Sequence, residues 1–126
     1  MNKWITIGAV LLALGVAAGA FGAHALAKRL DEYHLDVYHK AALYHFIHAI
    51  GILLVASLSA GGSIPVPSAE KICALLFVSI VVFSGSLYAL AITDVRWLGA
   101  ITPIGGTGFI AAWLWLAYCS WKHASV

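Results

Sequence analysis

The chain has 126 residues, of which 63% are hydrophobic and only 10% charged, and its mean hydropathy is +0.97. An ordinary soluble domain carries about a quarter charged residues, so this apolar content excludes a water-soluble globule and points to helices that face lipid. A formal charge of +2 without a basic run argues against a nucleic-acid partner.

Four apolar stretches, at 4–23, 39–60, 71–92 and 99–121, are long enough to cross a hydrocarbon core of about 30 Å, which takes about 20 helical residues. Backbone groups in lipid must be satisfied within the segment, and no ten-residue alternating pattern suggests a barrel. The expected fold is therefore an all-α, integral membrane four-helix bundle, residues 1–126 forming a single transmembrane domain. The first stretch also has features of a secretory signal, with small residues at Ala18, Ala20, Ala23 and Ala25. Its apolar run exceeds a usual signal core, and it is expected to remain as the first span.

Between the first two spans, His24 to Tyr38 places Leu26, Leu30, Tyr33 and Val37 at i, i+4, i+7 and i+11 among five charged residues. That spacing predicts a short amphipathic helix at the membrane interface. The second connection, Gly61 to Ser68, is a glycine- and proline-rich loop with Ser68 as the expected cap of the third helix. The third, around Thr93 to Trp97, is short enough to make helices three and four antiparallel neighbours. Lys3, Lys71 and Lys122 fall on the side of the termini and Lys28, Arg29, Lys40 and Arg96 on the other, a near tie. Lys3, on the leading helix, tips the expectation to both termini in the cytoplasm.

Close helix contact in lipid relies on small residues. In the first helix Gly8, Gly15, Gly19 and Gly22 or Ala23 fall near one face, with Gly15 and Gly19 as a GxxxG pair. The fourth begins at Thr102-Pro103, a cap and a first-turn proline, and continues through Gly105, Gly106, Thr107 and Gly108. These glycines are either packing spacers or room for a ligand.

Polar residues concentrate in one half of the bilayer: His24, then Tyr44, His45 and His48, then Ser84, Ser86 and Tyr88, then Thr102 and Thr107. An intramembrane polar group costs free energy unless paired, so the clustering suggests a one-sided pocket for a small ligand, a lipid headgroup or a partner helix. His45 and His48, three residues apart, share a helix face. Structural hydrogen bonding, a proton relay or polar ligand, and metal or haem ligation by this pair, with His24 as a third ligand, all remain open readings. No carboxylate or cysteine completes a metal set, and no metal or other cofactor is implied. His34, His39 and His123 are read as interfacial, and Cys73 and Cys119 as small buried hydrophobes. Phe-Ser84-Gly lacks the strand-turn-helix setting of a nucleophile elbow. Trp4, Trp97, Trp113, Trp115, Trp121, Tyr33 and Tyr38 lie mainly near span ends, as interfacial anchors do.

Four motifs in order, Gly19-Ala20-Phe21-Gly22-Ala23-His24, Tyr44-x-x-x-His48-Ala49, Phe83-Ser84-Gly85-Ser86-Leu87-Tyr88 and Thr102-Pro103-x-Gly105-Gly106, span most of the chain. In these the sequence resembles the YgdD/YwdK-like family of small four-span bacterial inner-membrane proteins, a domain of unknown function. The resemblance implies a multi-pass protein of the bacterial inner membrane and no particular activity. It also implies glutamine after the tyrosine, where this chain has His45; a hydrogen-bonding role suits either residue. The functional expectation is a non-enzymatic membrane protein with a polar pocket, in contact with the bilayer and with a homo-oligomer or membrane partner open to it. The competing classes are an oligomeric transport or channel unit for a small solute or proton and a histidine-ligated metal or haem enzyme.

Overall fold

The computed structural model describes residues 1–124 as four long helices: α1 Asn2–His24, α2 Glu32–Ala60, α3 Val66–Thr93 and α4 Thr102–Ala124. Each contains an apolar run that is long enough to cross a membrane. α2 and α3 form the central pair; α1 packs on α2, and α4 packs on α3. Lys3 at the start of α1 meets Glu70 at the start of α3, 3.0 Å apart, and His123 Nε2 lies 3.0 Å from the Gly62 carbonyl. The start of α1, the second loop and the end of α4 thus share one end of the bundle.

Two connections differ from expectation. The interfacial helix does not form as one piece: Leu26–Lys28 is a single 3-10 turn, and the remainder becomes the first two turns of α2. Asp31 causes the break, because its extended backbone starts a new helix and its carboxylate accepts the His34 backbone N–H at 2.8 Å. Leu26 and Val37 still bury together, as their spacing required, whereas Tyr33 is exposed. Ser68 does not cap α3. The helix starts earlier, at Val66, with Pro65 as cap and Pro67 in the first turn, where a missing N–H costs nothing. At the far end Asp94 terminates α3 in the left-handed region, at φ 56°, and a 3-10 turn at Arg96–Ala100 leads into α4.

The core has two parts. Toward the termini it is mainly apolar, built on Ile52, Val55, Ile72 and Leu76 with Phe109 and Ala112. Toward the first and third connections a smaller cluster gathers Leu26, Val37, Tyr38 and Ala41 against Leu87 and Leu90.

The glycine seams are sorted by their neighbours. In α1 the buried glycines are Gly8, Gly15 and Gly22, at intervals of seven. An added Cβ would meet Leu53 at Gly8, the Phe46 ring at Gly15 and the Tyr38 ring at Gly22. Gly19 has nothing within 4 Å, so the GxxxG pair is not the contact. A seven-residue repeat keeps one stripe facing a partner helix along a gentle left-handed supercoil, whereas a pair four apart drifts off it. In α4, a Cβ at Gly105 would lie 2.6 Å from the Phe83 backbone nitrogen, and one at Gly108 would collide with Ser79 Oγ. Gly106 stands 3.7 Å from the Phe83 ring, an ordinary contact distance. Gly51 in α2, outside the expected seams, makes room for the Trp113 ring.

Gly105→Ala should therefore lower the stability of the detergent-purified protein by about 1–3 kcal/mol, the usual cost of overpacking. Gly19→Ala should be neutral or stabilising, since it fills open space with a better helix former. Thermal unfolding of the two variants side by side checks this, and equal loss at both positions would contradict the assignment.

Candidate functional site

The polar residues of the expected pocket do not converge on one point; most of them fasten neighbouring helices in pairs. His45 is 6% exposed and lies between α1 and α3. Its Nε2 is 2.7 Å from the Leu11 carbonyl, which only accepts, so Nε2 carries the hydrogen and donates. Nδ1 then accepts from the Tyr88 hydroxyl at 3.0 Å. Tyr88 packs edge-on against Tyr38, whose own hydroxyl donates to the Ala18 carbonyl at 2.5 Å. Ser84, fully buried, donates to the Ala41 carbonyl at 2.8 Å and ties α3 to α2. Ser86 Oγ and Thr102 Oγ1 share a hydrogen at 2.6 Å, tying α3 to the start of α4.

His48 faces the other way. Three residues advance the helix by almost a full turn but not quite, which leaves the two imidazoles on diverging sides of α2. The His48 ring stacks on Phe109 with centroids 3.5 Å apart and an interplanar angle of 14°. Its Nδ1 donates to the Tyr44 carbonyl one turn back, at 2.8 Å. Tyr44 lies parallel to it at 5.9 Å and against Phe83 at 4.5 Å. Together these rings wall an open lateral groove of about 450 Å³ between α2, α3 and α4. Trp113 bounds its deep end, and Pro103, Gly106 and Thr107 line the α4 side. Thr107 is exposed and bonds back to the Pro103 carbonyl at 2.9 Å.

His24 joins neither group and is exposed at the end of α1. Among the described residues no three His, Cys, Asp or Glu side chains gather as a metal site. Cys73 and Cys119 are buried and unbridged.

A feature that the sequence did not reveal lies at the first and third connections. His34 Nδ1 is 2.6 Å from Asp31 Oδ1 and Nε2 is 2.7 Å from Asp94 Oδ1. Two carboxylates, each an acceptor, require hydrogens on both ring nitrogens, so the arrangement selects the imidazolium. The bonds from Asp94 and then Asp31 raise the His34 pKa above its ordinary 6.5. Asp31 is lowered, first by the His34 backbone N–H, and Asp94 is lowered, first by the His34 side chain. Arg96 extends the cluster, 3.5 Å from Asp94 and over the Tyr33 ring. The signal available in the sequence was the Asp31-x-x-His34 capping spacing; the partner 60 residues away had none.

The charged clasp sets a pH dependence. His34 gains affinity for its proton on folding, so its stabilisation is complete below the unfolded pKa and is lost as pH rises through the raised folded value. The two depressed carboxylates act oppositely: their contribution is present above their unfolded values and lost as pH falls through the folded ones. Thermal stability scanned through the histidine range should fall toward alkaline pH. In Asp94→Asn, which keeps a residue suited to the left-handed backbone, that slope should be smaller. An unchanged slope would remove His34 from the account. Within the membrane, Tyr88→Phe should cost about 1–3 kcal/mol, because it leaves the buried His45 Nδ1 without a donor; a neutral result in the same melting assay would contradict that bond.

The comparisons with known proteins follow this architecture. A family described as "Protein of unknown function (DUF423)" matches residues 18–106. A UPF0382 membrane protein of Staphylococcus epidermidis (strain ATCC 12228 / FDA PCI 1200) is 45% identical over 124 residues, covering 98% of this chain and 99% of its own. A UPF0382 membrane protein of Staphylococcus haemolyticus is 44% identical over 122 residues, covering 97% and 98%. The UPF0382 membrane protein YwdK of Bacillus subtilis is 41% identical over 123 residues, covering 98% and 99%. No solved structure matches the chain. With the family match spanning well over half of the sequence and relatives aligned almost end to end, the chain belongs to the DUF423 family of membrane proteins.

Proposed function

We propose that this protein is a non-enzymatic membrane protein that holds a small ligand in the lateral groove between α2, α3 and α4. The observation that carries the reading is the state of His48. It is 5% exposed, it lines the groove, and its Nε2 has no hydrogen-bond partner among the described residues. His45, Ser84 and Ser86, by contrast, are satisfied by neighbouring helices or their own backbone. Nε2 opens onto the groove rather than onto packed protein, so a molecule seated there can supply the hydrogen bond that no neighbouring helix supplies. Gly106 supports the same reading, since it lines the groove in ordinary contact with its neighbours and keeps the groove open.

The bacterial sources of the relatives and Lys3 on the leading helix support a cytoplasmic membrane location with both termini inside the cell. In that orientation a cysteine placed at Asp36 is labelled from outside and one at Ser63 is not; the reverse pattern would invert the topology.

Native mass spectrometry of the protein released from membranes should show a retained small molecule. Gly106→Leu, which projects a side chain into the groove without meeting backbone, should lose that molecule and keep its melting temperature. Retention by Gly106→Leu, or a wild-type protein with nothing bound, would count against the groove as a binding site.

A further inference from the structure

We infer that the groove takes a lipid-soluble alcohol or phenol, whose hydroxyl donates a hydrogen bond to His48 Nε2 deep in the membrane. This rests on the groove being a ligand site and specifies the chemistry of the ligand.

The tautomer supplies the first step. The Tyr44 carbonyl, 2.8 Å from His48 Nδ1, has no hydrogen to give. Nδ1 therefore carries the proton of the neutral ring, and Nε2 presents a lone pair. Charging the ring instead would place a cation beside Phe109 and Trp113 in hydrocarbon, with no carboxylate in the groove lining to receive it. An acceptor in that setting selects a donor. A ketone, an ester or an ether offers none.

Depth supplies the second step. His48 lies eight residues beyond Lys40, the last charged residue of α2. At 1.5 Å per residue that is about 12 Å inside the hydrocarbon, close to the middle of a core about 30 Å thick. A phospholipid headgroup stays at the surface, whereas a molecule dissolved in the core reaches this level. The walls supply the third. Tyr44, Phe83, Phe109 and Trp113 surround the position with aromatic surface, which favours a compact apolar body around the single hydroxyl.

The test uses the full chain in phosphatidylcholine nanodiscs and three probes: 2-naphthol, 2-methoxynaphthalene and naphthalene. Affinities are expressed as mole fraction in the bilayer, so that partitioning cancels. 2-Naphthol should bind saturably at one site, about tenfold more tightly than either comparator, the worth of one hydrogen bond to a buried acceptor. In His48→Phe, which keeps an aromatic ring against Phe109, the three affinities should become equal. Equal affinities in the wild-type protein would overturn the hydroxyl inference while leaving the groove as a binding site. Absence of saturable binding by all three would overturn the groove reading as well. Displacement of 2-naphthol by added phosphatidylglycerol would overturn the assignment to a molecule dissolved in the core, because the donor would then be a headgroup hydroxyl. Should His48→Phe fail to fold, the three-probe comparison on the wild-type protein still decides.

Discussion

A polar atom inside a bilayer has no water to turn to, and this constraint governs how the four helices meet. It is clearest between α1 and α2. A helical side chain covers the turn that precedes it, so a residue at position i+4 shields the carbonyl of residue i. Gly15 leaves the Leu11 carbonyl open and His45 takes it; Gly22 leaves the Ala18 carbonyl open and Tyr38 takes it. The acceptors are seven residues apart on α1 and the donors are seven apart on α2, as two antiparallel helices in register require. Each glycine thus admits both a ring and a hydrogen bond.

The same constraint divides the bundle across the membrane. Toward the first and third connections, α2, α3 and α4 are linked through Ser84 to Ala41 and Ser86 to Thr102, and the ends are clasped by His34 between two aspartates. Toward the termini the joint is close packing of aliphatic side chains, in which Cys73 and small residues such as Ala56 and Ala69 let α2 and α3 approach. Two atoms depart from the rule: Trp4 Nε1 and Ser59 Oγ are buried without a partner among the described residues, and nothing in the structure explains them.

Much of this was legible in the sequence, and the reasons are physical. Four apolar runs of sufficient length have one solution in lipid, and His45, Ser84 and Ser86, which the sequence places in one half, each find a hydrogen-bond partner on a neighbouring helix. What they do there was less visible. Residue spacing places His45 and His48 on one broad face, yet the boundary between α1 and α4 runs between them. GxxxG is a local pattern, and it drew attention to Gly19 over the seven-residue repeat that sets the contact. Asp94 meets His34 only through the turn of α3 into α4, a tertiary relation that no local spacing encodes. The amphipathic period from Leu26 to Val37 was real, but it could not reveal that Asp31 would divide the segment.

The His45 bridge bears on whether this half of the protein conducts. Hopping conduction needs each member of a wire to receive a hydrogen on one side and release one on the other, and then to reset by turning over. From Tyr88 the order is hydroxyl to Nδ1, then Nε2 to the Leu11 carbonyl. A peptide carbonyl has no hydrogen to pass on, so the wire ends there. Nor can the imidazole rotate to reset while both its nitrogens are engaged and the ring is packed between α1 and α3. In these bonds the bridge is a latch that holds α1, α2 and α3 together.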